Sequence, residues 1–515
     1  MGEAPPQATG EGETPTSARI AWAGRIVAPL LAVVVYLLTG LDDGMSPAAR
    51  ATAGVGVLMA VLWMTEALPL PATALLPIVL FPATGVLSAG QATAPYADRV
   101  IFLFMGGFML ALAMERWGLH KRIALVTVLL VGTRPRALVA GFMLATGVMS
   151  MWISNTATAV MMLPIATSIV ALAGERLAAE GTDTGDALPR FGTCMLLGIA
   201  YSASIGGVGT PIGTPPNAVL IGFVNESYGV SIGFGQWMVV GVPFALVFGV
   251  IAWAVLVYFA YPVRLERLPG GREVIREELR RLGPVSRGEW TVLVVFLATA
   301  MSWMLREPLA NWEWLAARAP FLARIDDTVI AIAAATLLFA IPVNAKRGSF
   351  ALDWRTAVRL PWGVLLLFGG GLSLARAVGA SGLDDWIGAQ VGALGWMPLV
   401  ALVLVVTATV IFLTEVTSNT ATATTFLPIL GGVAVGLDVA PTMLLVPAAI
   451  AASCAFMLPV ATPPNAIVFG SGRVTIGQMV KAGLWLNLIG IALITLLTFT
   501  LVSWTLKGML VGAAP

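Results

Sequence analysis

The chain has 515 residues, of which 58% are hydrophobic and only 11% charged, and its formal charge is +2. Soluble domains carry about 25% charged residues, so most of this surface cannot face water; the formal charge itself says little about partners, and no nucleic acid is expected. Apolar runs such as Ile251–Phe259 and Leu484–Thr500 do not alternate, which excludes a β-barrel and leaves an all-α polytopic membrane protein with the lipid bilayer as its first partner.

In chain order, residues 1–18, rich in Pro, Gly, Thr and Glu, read as a disordered N-terminus. No basic segment precedes the apolar run Ile20–Thr39, which argues against a cleaved signal peptide. A first half, 19–260, carries expected spans near 20–39, 51–67, 72–88, 99–116 and 235–260, with a hairpin at 137–172 and a broken helix at 191–224. A basic linker, 261–288, leads to a second half, 289–507. Its expected spans lie near 289–307, 327–342, 361–378 and 480–506, with a hairpin at 395–436 and a broken helix at 440–470, before a tail at 508–515. The expected architecture is about eleven transmembrane helices plus two re-entrant hairpins.

Lys and Arg mark the cytoplasmic side. They cluster in the loop 116–136, in the linker and around Lys346–Arg359, and are missing from 224–234 and 379–394. Arg306, Arg318 and Arg324 dissent, falling on an expected outer loop. The pattern predicts a cytoplasmic N-terminus, an outside C-terminus, and hairpins entering from opposite sides, as inverted repeats require. His120, beside Lys121 and Arg122, reads as an interfacial residue, and Cys194 and Cys454 fit no metal or disulfide spacing.

The halves repeat one another. Phe104-Met-Gly-Gly107 matches Phe368-Gly-Gly-Gly371 at an offset of 264, as do Gly118-Leu119 and Gly382-Leu383. Ser150-Met-Trp-Ile-Ser154-Asn155-Thr156 matches Thr414-Glu-Val-Thr417-Ser418-Asn419-Thr420 at the same offset. Gly213-Thr214-Pro215-Pro216-Asn217 matches Ala461-Thr462-Pro463-Pro464-Asn465 at an offset of 248, the difference being a polar insert around Gly174–Arg190.

Pro-Pro in an apolar helix removes donors, and such breaks survive in hydrocarbon only where protein, water or ions satisfy the freed groups. Broken helices at matching positions point to a transporter site. Hydroxyl, amide and carbonyl oxygens suit a hard cation such as sodium, while helix N-termini favour an anion. No Lys or Arg lies in the four blocks, so a buried anion there needs cations to neutralise it. One Ser-Asn-Thr block could simply bond its own backbone or a neighbouring helix; four blocks paired by symmetry argue for a site. Glu415, whose counterpart is Met151, is a functional candidate by position but reads better as scaffold.

These motifs, together with Thr65-Glu-Ala-Leu-Pro69 and Ser453-x-x-Phe456-x-x-Pro459-Val460-Ala461-x-x-x-Asn465-x-Ile467-Val468, resemble the divalent anion/sodium symporter family over roughly residues 20 to 507. The resemblance implies a multi-pass plasma-membrane homodimer working as an elevator, with symport of a C4-dicarboxylate (succinate, malate or fumarate). It implies at least two sodium ions per protomer. One site would use Ser150, Ser154, Asn155 and Gly213; the other Thr414, Thr417, Asn419 and Ala461, several through main-chain carbonyls. The substrate, a small dianionic carboxylate, would lie between Asn155-Thr156 and Asn419-Thr420, lined by Thr214, Pro215, Thr462 and Pro463. A sulfate or tricarboxylate symporter and a sodium-independent dicarboxylate exchanger are the alternatives. An enzyme is disfavoured: no zinc-protease motif, nucleophile elbow or phosphate loop appears, so no catalytic residue is expected.

Overall fold

A computed structural model describes residues 15–506 except 42, 43, 133, 183, 266, 267, 269 and 392–395; the tail 508–515 and most of the expected disordered start lie outside these. The first helix, α1 (Pro15–Leu38), begins inside that start. It is followed by α2 (Pro47–Met64), α3 (Arg99–Arg116), α4 (Leu119–Val131), α5 (Pro135–Ser150), α6 (Asn155–Ala179), α7 (Ala187–Gly207), α8 (Pro215–Tyr228) and α9 (Phe234–Ala254). Beyond a short α10 (Gly271–Arg281) come α11 (Arg287–Ala310), α12 (Asp327–Ala340), α13 (Trp362–Ser381), α14 (Leu383–Val391), α15 (Leu399–Thr414), α16 (Asn419–Gly436), α17 (Thr442–Ala451), α18 (Pro463–Gly470) and α19 (Ile476–Leu497). Among the described residues the only strands are a ribbon, Pro342–Asn344 with Ser349–Phe350.

Eight helices of the described residues are long and apolar enough to cross a bilayer, fewer than the eleven or so expected. Five shorter apolar helices accompany them, including both first arms of the hairpins, Pro135–Ser150 and Leu399–Thr414. The expected span 72–88 is divided into Leu70–Thr73 and Leu76–Ala83, because a proline enters the first turn of the second piece and cannot continue the ladder of the first. The basic loop 116–136 is largely the helix α4, and the segment 379–394, which lacks Lys and Arg, contains α14. Each follows a glycine in the left-handed region, Gly118 at φ 70° and Gly382 at φ 71°, a turn that costs other residues strain. The matched Gly-Leu pairs are therefore the same bend made twice.

Charge misleads at α4 because its first turn carries Lys121 and Arg122. Arg122 is consumed internally: its Nε meets Glu289 at 2.6 Å and its terminal nitrogen donates to Gly283 O at 3.0 Å. His120 is buried, with Nδ1 3.1 Å from Met114 O. The linker holds α10, whose Ile275 is fully buried, so it is partly packed rather than wholly a solvated face.

Helix α1 packs on α2, α3 on α12, α5 on α7, and α14 on α16. Across the middle the halves interleave. The helix after the first break, α8, packs on α13 and α16, and the helix after the second, α18, packs on α6 and α7. Such approach needs small residues; a Cβ on Gly206 of α7 would collide with the backbone of Gly147 on α5.

Candidate functional site

Four helices begin at the centre of the fold. Helices α6 and α16 start at Asn155 and Asn419, just past the hairpin turns, with Ser154 and Ser418 as N-caps. Helices α8 and α18 start at Pro215 and Pro463, with Thr214 and Thr462 as N-caps. Pro in a first turn sacrifices no helical bond, so the breaks are non-helical segments that end in well-formed helix starts. Their unpaired N–H groups and dipoles favour negative charge.

The two hairpins are closed by the same bond. Ser150 Oγ is hydrogen-bonded to the Asn155 side-chain amide, and it lies 2.7 Å from Ala203 O. Thr414 Oγ1 donates to Asn419 Oδ1 at 2.8 Å and lies 3.1 Å from Ala452 O. The Asn155 amide end facing Ser150 lies 3.2 Å from Ala203 O and 3.3 Å from Gly213 O. With nitrogen in that place its two hydrogens are shared among Ser150 Oγ, Ala203 O and Gly213 O; with oxygen there, the Ser150 hydroxyl can donate to it but the two carbonyls face it unrelieved unless a cation lies among them. A Cβ on Gly207 would sit 2.8 Å from Asn155 Oδ1 and 3.0 Å from Gly213 O, so glycine is needed for the segment to close around the amide. The halves are joined at this level by Thr214 Oγ1 and Ser453 Oγ, 3.3 Å apart.

Ser150, Asn155 and Gly213 thus form one oxygen-rich cluster, and Thr414 and Asn419 form its counterpart beside Ala452 O. The other expected residues are less uniform. Ser154 is exposed and its hydroxyl caps the Ala157 N–H at 3.2 Å. Thr417 is buried, with its hydroxyl 2.9 Å from Leu413 O and 2.7 Å from Thr422 Oγ1. Thr156 is exposed, whereas Thr420 is buried and its carbonyl accepts Thr424 Oγ1 at 2.7 Å. Thr462 Oγ1 accepts the N–H of Asn465 at 3.3 Å. Ala461 is buried; Pro215 is half-buried and Pro463 exposed.

Glu415 is scaffold. Its carboxylate accepts the N–H groups of Phe456 at 2.7 Å, Met457 at 2.9 Å and Leu458 at 3.0 Å, and the amide of Asn487 at 2.7 Å. It satisfies donors that the second break strips of helical partners. In the first half it is carbonyls that side chains satisfy: Thr210 Oγ1 donates to Met151 O, and Trp237 Nε1 donates to Val208 O at 2.9 Å.

The motif reading missed Asn487 and Trp237, which reach the breaks from α19 and α9. A signal existed: Gly235-Gln236 and Gly477-Gln478 form a third repeated block, each glutamine accepting the N–H of the residue that starts its helix, Gly233 and Thr475, at 2.9 Å. Each helix then carries a glycine against the break. A Cβ on Gly241 would lie 2.6 Å from Val208 O, and one on Gly483 would collide with Phe456 O.

The arrangement offers neutral oxygens and helix N-termini and, among the described residues, no cluster of His, Cys, Asp and Glu that could hold a metal. It suits a weakly held hard cation beside an anion, which a carrier must release again. Residues 21–510 match the family described as the sodium:sulfate symporter transmembrane region. The chain is 43% identical over 480 residues to the sodium-dependent dicarboxylate transporter SdcS of Staphylococcus saprophyticus, covering 93% of this chain and 91% of that protein. It is 43% identical over 484 residues, with the same coverage, to SdcS of Staphylococcus aureus strain USA300. In fold it resembles the YdaH transporter of Alcanivorax borkumensis, with a TM-score of 0.58 and 15% identity over 93% of this chain and 99% of that one. MtrF of Neisseria gonorrhoeae gives a TM-score of 0.54 and 12% identity over 82% and 83%.

Proposed function

We propose, for a chain that belongs to the sodium:sulfate symporter family, sodium-coupled symport of C4-dicarboxylates such as succinate, malate and fumarate. The chain is a multi-pass membrane transporter and not an enzyme. The observation that carries the substrate reading is the duplicated closure of the two hairpins, Ser150 on Asn155 and Thr414 on Asn419, in a protein whose relatives are sodium-dependent dicarboxylate transporters.

In this reading sodium is co-substrate. One ion is held by Ser150, Ser154, Asn155 and Gly213, the other by Thr414, Thr417, Asn419 and Ala461, with at least two ions per protomer. The dianion lies between Asn155-Thr156 and Asn419-Thr420, with Thr214, Pro215, Thr462 and Pro463 at its edge. Two cations cancel the charge of the dianion, which no buried Lys or Arg of the four blocks does. Inverted repeats in a plasma-membrane homodimer, N-terminus cytoplasmic and C-terminus outside, would carry the site across as an elevator. The matched bonds of the two halves support the symmetry of this scheme, and the likeness to SdcS supports its cargo.

The test is uptake of labelled succinate into proteoliposomes under an imposed sodium gradient. Sodium-dependent uptake inhibited by malate and barely affected by sulfate is expected. Equal uptake without sodium, given succinate inside, would replace symport by exchange.

A further inference from the structure

The Pro-Pro pairs explain why each helix restarts, but not what fixes the backbone of the break before it. The third residue of each new helix, Asn217 in α8 and Asn465 in α18, is fully buried. Asn217 Nδ2 donates to Thr210 O at 2.8 Å and Val208 O at 3.1 Å. Asn465 Nδ2 donates to Leu458 O at 3.0 Å and Ala455 O at 3.2 Å. Each amide therefore reaches back across its break and holds two carbonyls closely, with Gly207 O a longer 3.4 Å from Asn217 Nδ2.

One carbonyl of each pair has a second partner. Thr210 O also accepts the N–H of Gly213 at 3.3 Å, and Leu458 O also accepts the N–H of Ala461 at 3.3 Å. The asparagine and the peptide of the residue proposed to ligate sodium thus share one acceptor, in both halves and at matching positions. The Oδ1 atoms of both asparagines are buried without a hydrogen-bond partner. The grip is made by the NH2 end, and it persists although the surroundings differ: Met151 stands opposite the first break where Glu415 binds the second.

We infer that Asn217 and Asn465 are positioning residues for sodium, each fixing through a shared carbonyl the N–H of the residue, Gly213 or Ala461, whose own carbonyl is turned toward the ion. This rests on the sodium sites proposed above. Groups that orient ligands commonly change ion affinity when removed, although they never touch the ion.

The full-length protein is reconstituted as wild type, Asn217→Ala and Asn217→Asp, and compared for sodium dependence of succinate uptake and for sodium-induced shift of the unfolding temperature without succinate. A wild type that sodium does not stabilise overturns the sodium sites themselves. Given a stabilised wild type, both variants are expected to need about 10- to 100-fold more sodium for half-maximal uptake, with succinate half-saturation near wild type once sodium is saturating. Asp keeps the shape and an oxygen but loses the NH2, so it should fail as Ala does. Unchanged sodium dependence in folded variants overturns the inference, as does a loss of stability that is equal with and without sodium. Wild-type behaviour of Asp alone moves the role to Oδ1 and overturns it too, and failure of Asn217→Ala, Asn217→Asp and Asn217→Ser to fold assigns the residue to bracing alone.

Discussion

Phe104 and Phe368 meet edge to face, ring centroids 5.2 Å apart and planes at 72°, although 264 residues separate them. They are counterparts in the duplicated sequence, and both are buried. Contact between counterparts is what the inverted repeats proposed above would give at their local two-fold axis. The pair is expected to be energetically coupled. Truncating either ring to Ala should lower the unfolding temperature in detergent, and the double variant should lose less than the two singles together, by about 0.5–1.5 kcal/mol. Additive losses would mean the contact contributes only burial.

Asn155 and Asn419 each close a hairpin and stand at a helix start. Asn155→Ala and Asn419→Ala are each expected to abolish sodium-dependent succinate uptake while eluting as the folded wild-type assembly. Normal uptake by both would sink the site assignment.

Removing the Glu415 side chain strands three backbone N–H groups and the Asn487 amide. Each buried unpaired group costs about 1–3 kcal/mol, so Glu415→Ala should depress thermal stability sharply. Glu415→Gln retains one good acceptor and should fall between Ala and wild type. A ranking in which Ala equals wild type would deny the scaffold role.

Asp353, on the loop before α13, tests an ion pair outside the spans. Burial alone would raise its carboxyl, but the Thr356 N–H at 2.8 Å, the Thr356 hydroxyl and the Arg116 guanidinium at 2.8 Å outweigh that and hold it below the usual carboxylate range. A depressed carboxyl contributes stability above its unfolded pKa of about 3.9, and loses it as the pH falls through the folded value. The difference in unfolding temperature between wild type and Asp353→Asn should therefore be constant from about pH 5 to 8 and shrink below about pH 4. It should be small throughout, because the carboxylate is 46% exposed.

The duplication was legible in the sequence because polar blocks are rare in an apolar chain, and two ordered sets of them cannot agree by accident. Pro-Pro, Ser-Asn-Thr and Gly-Leu are local instructions: they stop a helix, cap one or bend the chain whatever surrounds them. The sequence by itself therefore determined the membrane class, the hairpins and breaks, the restarts at Pro215 and Pro463, and the residues at the centre. Helix α4 was lost because the same Lys and Arg that mark a loop can be spent on a partner such as Glu289. Only the tertiary structure decided which groups meet across the halves. That α8 lies on the second hairpin and α18 on α6 of the first hairpin, that Thr214 finds Ser453, and that Asn487 finds Glu415 depends on how helices far apart in the chain interleave. Hydrophobic pattern is periodic and local, so it says which face is buried but not against what. Buried polar groups, which must each find a partner, receive theirs only when the halves close on one another.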